Sequence, residues 1–132
     1  MNLNPFPKTK ISWQANCFYF LTIPTFIHMP YFQTDEQKSL VLKFIKQLKI
    51  KNGIGTKAFS IMINHLHILF HSKTKTDVTL VKNFIQGNVT REYRSIYEVK
   101  GSDFWHPAKT LPIKNNHLLG LSILKLSSFC WL

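Results

Sequence analysis

The chain has 132 residues, 45% of them hydrophobic, and carries 17 Lys and Arg against six Asp and Glu, a formal net charge of +11. A chain of this size folds as one domain and buries a sufficient core without disulfides or a structural metal. Cys17 and Cys130 lack metal-type spacing and are predicted to be reduced thiols. The charge predicts a polyanionic partner, nucleic acid first, although lysine-rich helices are often only solvated faces.

No segment of the sequence predicts a membrane anchor. Residues 118–132 are apolar but fall short of the roughly 20 residues that a bilayer-spanning helix needs, and Lys125 interrupts them. We therefore expect a cytoplasmic protein with no membrane partner and no small-molecule substrate.

The first elements in chain order are an N-terminal arm over residues 1–16, a strand and a helix. Residues 17–23 are rich in aromatic and β-branched side chains and end before Pro24, which predicts a central strand buried on both faces. Thr34 is expected to cap a helix that Gly53 ends. The apolar stripe of this helix comprises Leu40, Val41, Phe44, Ile45 and Leu48.

A hairpin and a second helix are expected to follow. Residues 58–63 and 65–70 predict two strands joined through a turn at Asn64. Asp77 is expected to cap the helix and Gly101 to close it. The pattern predicts an α+β fold with helices on one face of an antiparallel sheet, the other face being left for a site. The apolar stripe of the second helix comprises Val78, Val81, Ile85, Val89, Tyr93 and Ile96.

Two histidines, His65 and His67, flank one apolar residue in the second strand of the hairpin. Because successive side chains of a strand point to opposite faces, both imidazoles are expected on one face while Leu66 turns into the core. Such a pair is a two-pronged metal ligand on a rigid support, and the alternative is a half-exposed strand edge.

Three motifs within residues 17–107 resemble the HUH single-tyrosine transposases of insertion sequences, together with the REP-associated tyrosine transposases. The first resembles the family's Met-Pro-Asn-His-hydrophobic-His, with Ile63 in place of proline. The second is similar to the family's Leu-Lys-Gly helix, with Gln86 where lysine is common, and the third resembles its tryptophan turn. The motifs are Met62-Ile63-Asn64-His65-Leu66-His67, residues 84–93 and Phe104-Trp105-His106-Pro107.

The resemblance implies a ferredoxin-like fold and a divalent cation, Mn²⁺ or Mg²⁺, at His65 and His67. Nitrogen ligands favour Mn²⁺. It further implies DNA transposition by cleavage and rejoining of single-stranded or hairpin DNA through a phosphotyrosine link, in a nucleoid-associated protein, and leaves a homodimer or a monomer open. The expected DNA contacts, for which a solvated surface is the alternative, are Lys73, Lys75, Lys82, Arg91 and Arg94.

The nucleophilic tyrosine of the family lies on a helix beyond the tryptophan turn, whereas this chain has no tyrosine after Tyr97. Residues 108–132 predict no element and are expected to be a divergent, truncated or frameshifted segment of the same domain, with activity impaired. Tyr93 and Tyr97 are weak substitutes, because core aromatics are the simpler interpretation of their spacing. Two alternatives stay open: a non-catalytic or domesticated nucleic-acid-binding remnant, and an unrelated RNA-binding protein.

Overall fold

A computed structural model describes residues 16–127, without the side chains of Lys75 and residues 125–127. Cys130 and the predicted N-terminal arm, apart from Asn16, lie outside these residues. The described elements, besides a short 3-10 turn at Phe26–His28, are β1 Cys17–Pro24, α1 Asp35–Asn52, β2 Thr56–Ile61, β3 His65–Ser72, α2 Lys75–Ile96, β4 Lys109–Ile113 and α3 Asn116–Ser127.

The four strands form one sheet in the order β2-β3-β1-β4, and every neighbouring pair is antiparallel. Each of the helices α1 and α2 connects two strands that are separated in the sheet by a third, which is the ferredoxin-like arrangement of two interleaved β-α-β units. The predicted fold class is therefore confirmed, as is the central position of β1.

The main core lies between one face of the sheet and the helices α1 and α2. Alternate residues of the two central strands, among them Leu21, Ile23, Leu66 and Ile68, are fully buried there. The predicted stripe of α1 is buried against them. Burial of this apolar surface is the main source of stability, at roughly 25 cal/mol per Å².

Both ends of α1 are those that the sequence predicts. The Thr34 hydroxyl accepts from the Gln37 backbone N–H, and the Gln37 side chain accepts from the Thr34 backbone N–H in return, which forms a capping box. Gly53 follows the helix with φ of 69°, a left-handed conformation in which glycine has no steric penalty.

An ion pair between Lys43 and Glu92 joins α1 to α2.

The helix α2 differs from the prediction at both ends. Its cap is Thr74, and Asp77 is the third helical residue, which completes a capping box by accepting from the Thr74 backbone. At the other end the helix stops at Ile96, because Tyr97 is extended, so Gly101 does not close it. Gly101 instead adopts φ of 84° in the loop that follows.

The predicted hairpin is confirmed, but its first strand lies two residues earlier in the chain than the predicted residues 58–63. The strand β2 begins at Thr56 and ends at Ile61, because the turn occupies Ile63 and Asn64 and is closed by a bond from the Met62 N–H to the His65 carbonyl. Lys57 is an extra residue in the ladder, since Thr56 and Ala58 pair with successive residues of β3.

The segment in which the sequence predicted no element contributes a strand and a helix. Residues of β4 pair with β1 from Lys109 opposite Thr22 to Ile113 opposite Phe18, although the strand contains Pro112. The helix α3 follows, and its N-terminal turn is capped where the Asn115 side chain accepts from the Leu118 N–H at 2.8 Å.

The second face of the sheet is partly covered, which corrects the expectation that it is left entirely to a site. Leu119 and Ile123 of α3 pack against Phe20 and Leu69. This small cluster adjoins the histidines, because the ring centroid of its Phe20 lies 5.2 Å from that of His67. Among residues 16–127, no helix is both long and apolar enough to cross a bilayer.

Candidate metal and nucleic-acid site

The two histidines of β3 lie side by side on the second face of the sheet. Their ring centroids are 4.8 Å apart and the ring planes are inclined at 75°. Leu66, between them, is fully buried on the opposite face. The period of two along a strand therefore places the imidazoles as the sequence predicts.

Each imidazole is oriented by a hydrogen bond at Nδ1. His65 Nδ1 lies 2.8 Å from Asn64 Oδ1, and His67 Nδ1 lies 3.0 Å from the Thr22 hydroxyl oxygen. Metal-binding histidines characteristically use one ring nitrogen for such a partner and the other for the metal, because the partner fixes the ring and its tautomer. The arrangement thus fits Nε2 coordination at both residues.

His67 belongs to a row of residues that runs across all four strands. Ser60 pairs with His67, His67 with Thr22, and Thr22 with Lys109. Directly paired residues of an antiparallel sheet project to the same face, so the exposed Lys109 lies on the histidine face about 10 Å from His67, at two strand spacings. A cation at this position favours an anionic ligand beside the imidazoles.

The described part of the chain offers no third His, Cys, Asp or Glu ligand beside the two histidines. No group of three or more His, Cys, Asp or Glu side chains in residues 16–127 has the geometry to hold a metal ion. A cation held by His65 and His67 would therefore complete its coordination with water or with oxygen atoms of a ligand, as Mg²⁺ commonly does.

Loops on either side of the histidines are tied together through Thr25. Its backbone N–H donates to the Asn64 carbonyl at 3.0 Å, and its hydroxyl lies within hydrogen-bonding distance of the Asn64 and Met29 carbonyls. The Phe26 N–H donates to the carbonyl of Phe104, in the tryptophan turn. These bonds fix the turn that precedes His65.

The tryptophan turn itself is anchored to α2. Trp105 Nε1 lies 2.7 Å from the Thr90 hydroxyl and 3.1 Å from the Gln86 carbonyl. The His106 N–H donates to the carbonyl of Pro24, the residue that pairs with His65. The three motifs that resemble the transposases are therefore brought together around one end of β1.

Tyr93, one of the two tyrosines considered as substitute nucleophiles, is part of the core. It is 4% exposed, and its hydroxyl donates to the Tyr31 carbonyl and accepts from Gln37 Nε2. Burial, together with the neighbouring Tyr97 and Tyr31, raises the pKa of Tyr93 to about 12. A phenol that is buried, bonded and this weakly acidic is poorly suited to attack phosphorus.

Tyr97 and the two remaining tyrosines of the chain are also packed. Tyr97 is half-buried, with its ring centroid 4.6 Å from that of Tyr93. Tyr19 and Tyr31 are buried. The helix α3 lies on the histidine face, and its 12 residues contain no tyrosine.

The residues predicted to contact DNA differ in the hydrogen bonds that they make within the protein. Arg94 donates to the carbonyls of Gly101 and Ser102, so it holds the loop after α2. Arg91 is exposed and bonds only locally, to the Asn88 side chain. Lys73 is exposed and Lys82 is half-buried, while the Lys75 side chain lies outside the described residues.

Two residues of the site escaped prediction from sequence. Thr22 contacts a histidine 45 positions away, and Lys109 reaches the same row only because β4 pairs with β1. Lys109 carries no local signal. Recognising that Thr22 projects opposite to its buried neighbours Leu21 and Ile23 would have placed it on the histidine face.

The sequence matches the model of the family described as "Transposase IS200 like" over residues 14–110. This match covers most of the chain, which therefore belongs to the IS200-like transposases. No protein with a curated description matches the sequence.

Among solved structures, a REP-associated tyrosine transposase bound to a REP hairpin is similar, with a TM-score of 0.73 at 13% identity over 92% of this chain and 70% of that one. A protein of Deinococcus radiodurans R1 described as a transposase has a TM-score of 0.62 at 14% identity, over 95% of this chain and 100% of that one. At these identities the likeness concerns the fold.

Proposed function

We propose that this protein acts in DNA transposition by binding single-stranded or hairpin DNA at the His65 and His67 face, with a divalent cation, Mn²⁺ or Mg²⁺, between the imidazoles and a phosphate. The observation that carries the proposal is the pair of imidazoles, each oriented at Nδ1 and half-buried on the second face of the sheet. Family membership and the net charge of +11 support a DNA ligand.

The residues around the pair fit the parts of such a site. Asn64 and Thr22 hold the rings, and Lys109 supplies positive charge at the far side of the row. A bound cation would polarise a phosphate and stabilise charge on its oxygens. Contacts from Lys73, Lys75, Lys82 and Arg91 to the DNA backbone would add sequence-independent affinity. A cytoplasmic, nucleoid-associated location follows from this function.

The covalent step is proposed to be impaired in this chain. A phosphotyrosine link requires an accessible hydroxyl beside the scissile phosphate. Tyr19, Tyr31 and Tyr93 are buried, Tyr97 is half-buried, and α3 has no tyrosine. These placements favour a second candidate function, a non-catalytic DNA-binding remnant or domesticated protein that has kept the fold and the histidine face.

One experiment tests both candidates. The full chain is mixed with a labelled DNA hairpin carrying a single-stranded tail, with and without Mn²⁺. Binding is followed by fluorescence anisotropy and covalent adducts on a denaturing gel. We expect Mn²⁺-enhanced binding that the double substitution His65→Ala and His67→Ala removes.

The matched control is His71→Ala, because this histidine belongs to the same strand and face and packs its ring on Phe18 as His67 packs on Phe20, but lies outside the proposed pair. It should leave the Mn²⁺ effect intact. Binding without an adduct supports the remnant, and an adduct would show that catalysis survives. If the double variant keeps the Mn²⁺ enhancement of DNA binding that the parent protein shows, the proposed metal site is wrong.

A further inference from the structure

The turn between β2 and β3 brings a methionine next to the histidine pair. Met62 lies directly opposite His65, because its N–H donates to the His65 carbonyl at 2.9 Å, and Ser60 pairs with His67. Directly opposed residues of an antiparallel pair project to one face with Cβ atoms about 5 Å apart. Ser60 and Met62 therefore stand beside the two histidines on the same face of the sheet.

A side-chain contact confirms the direction of the Met62 thioether. The Ser60 hydroxyl donates to Met62 Sδ at 3.3 Å. Ile61, between these two residues, is buried in the main core on the opposite face. The sulfur atom thus lies on the histidine face, next to the residue that pairs with His67. A thioether sulfur has more than one lone pair, so the bond from Ser60 leaves it able to act as a metal donor.

The thioether changes the kind of cation that this group of side chains favours. Thioethers are soft ligands that select Cu(I), and imidazoles bind copper well, whereas Mn²⁺ and Mg²⁺ prefer carboxylate, carbonyl and water oxygens. Within residues 16–127 no Asp, Glu or Cys joins the histidine pair in a metal-binding group. No carboxylate of the described chain therefore favours Mn²⁺ or Mg²⁺ over copper here.

We propose that Met62, His65 and His67 form a Cu(I) site with one thioether and two imidazoles as donors. The inference shares its imidazoles with the proposed function and goes beyond it, because protein atoms alone would hold Cu(I), without a DNA phosphate. Met62 is half-buried and its side chain is unbranched and flexible, so the sulfur can turn toward a cation between the rings. Cu(I) and Mn²⁺ then exclude each other, and copper inhibits metal-dependent DNA binding.

The test measures Cu(I) affinity in the full chain with Cys17→Ala and Cys130→Ala, because thiolates bind Cu(I) themselves. Cu(I), kept reduced by ascorbate, is titrated in competition with the coloured chelator bicinchoninate. Removing even the hydrogen-bond partner of a metal ligand weakens binding by about tenfold or more, so loss of a direct donor in Met62→Leu should cost at least roughly tenfold. Mn²⁺ affinity should not change, since this substitution conserves volume and removes no donor that Mn²⁺ uses.

Two further measurements identify the donor. Met29→Leu, the same change in the loop after β1, is the matched control and should bind Cu(I) as the cysteine-free parent does. X-ray absorption at the copper edge should show a sulfur neighbour in this parent and none in Met62→Leu. With both cysteines replaced, a sulfur neighbour that disappears on this change can only be the thioether of Met62.

The possible failures are separable. Unchanged Cu(I) affinity in Met62→Leu, an equal loss in Met29→Leu, or copper without a sulfur neighbour overturns the Cu(I) site and leaves the proposed function standing. An equal loss of Cu(I) and Mn²⁺ affinity in Met62→Leu also overturns it, since Met62 would then only hold the turn in place. If copper has its sulfur neighbour but Mn²⁺ does not enhance DNA binding, the proposed function fails and the Cu(I) site stands.

Discussion

The Thr22 hydroxyl oxygen lies 3.0 Å from Nδ1 of His67 and couples the central strand β1 to the histidine pair. Removing such a partner usually weakens metal binding by about 10- to 100-fold, because the ring loses its orientation. We therefore expect Thr22→Val to reduce Mn²⁺ affinity by that factor with the fold retained, as measured by calorimetry. Thr110→Val, the same change on β4, is the control. Unaltered affinity in Thr22→Val would exclude an orienting role.

Tyr93→Phe tests whether the buried tyrosine is structural. Its hydroxyl donates to the Tyr31 carbonyl at 2.8 Å, so the variant leaves a buried acceptor without this donor. We expect the free energy of unfolding to fall by about 1–2 kcal/mol in denaturant titrations, with DNA binding unchanged. Tyr97→Phe, at the half-buried neighbour, should cost less. A variant that folds normally but loses a DNA adduct would identify Tyr93 as the nucleophile.

Asp77 links the stability of α2 to pH. Burial alone would raise the pKa of this carboxyl, but bonds from the Lys73 and Thr74 backbone and the charge of Lys73 outweigh it and lower the pKa below the ordinary 3.8. The ionised form is thus favoured by folding, and its contribution is complete above the unfolded-state pKa and lost as the pH falls through the folded-state pKa.

We expect Asp77→Ala to lower the free energy of unfolding by about 1 kcal/mol at pH 7. The difference in free energy of unfolding between the parent protein and Asp77→Ala should stay constant down to pH 5 and become smaller below about pH 4. Thermal unfolding across this range measures it, with the exposed Asp103→Ala as the control. A difference in free energy of unfolding that grows as the pH falls would contradict the role of Asp77 in the capping box.

Ile27→Asn should stabilise the protein. Asparagine tolerates the left-handed backbone that isoleucine adopts here at φ of 46°, so relief of strain is expected to add about 0.5–1 kcal/mol to the free energy of unfolding. Ile50→Asn, in regular helix, should give no gain. A drop in the melting temperature would show that the loop is not strained.

Substitutions at Arg91 and Arg94 are expected to have different effects: the first on the salt dependence of DNA binding, the second on stability. Arg91→Ala should reduce the slope of log affinity against log salt for DNA by about one, the effect of one lost phosphate contact. Arg94→Ala should instead lower thermal stability, because Arg94 donates to the Gly101 and Ser102 carbonyls. Equal slopes for the parent and Arg91→Ala would remove Arg91 from the interface.

Elements with strong local signals were predictable. The strand β1, the helix α1 with its cap at Thr34 and the hairpin at Asn64 all follow from periodicity and turn chemistry. The start of α2 was misplaced because Thr74 and Asp77 both favour helix starts, and only their reciprocal bonding identifies Thr74 as the cap.

The rest depended on contacts between distant parts of the chain. Pro112 argues against a strand, yet β4 forms at the sheet edge, where a missing N–H is tolerated. The helix α3 has an apolar sequence with weak periodicity, and its cap at Asn115 went unrecognised. The histidine pair follows from a period of two, whereas the contact between Thr22 and His67 depends on the fold. The metal and DNA roles of these residues stay predictions.

Both edges of the sheet are unfavourable templates for a further strand. On β2 the extra residue Lys57 interrupts the ladder and places a charge at the edge, and on β4 Pro112 lacks a backbone donor. Natural proteins use charged bulges and edge prolines to prevent sheets from joining and aggregating. This highly basic domain is therefore expected to resist fibril-like growth, and a second copy is expected to approach it through a surface other than the sheet edges.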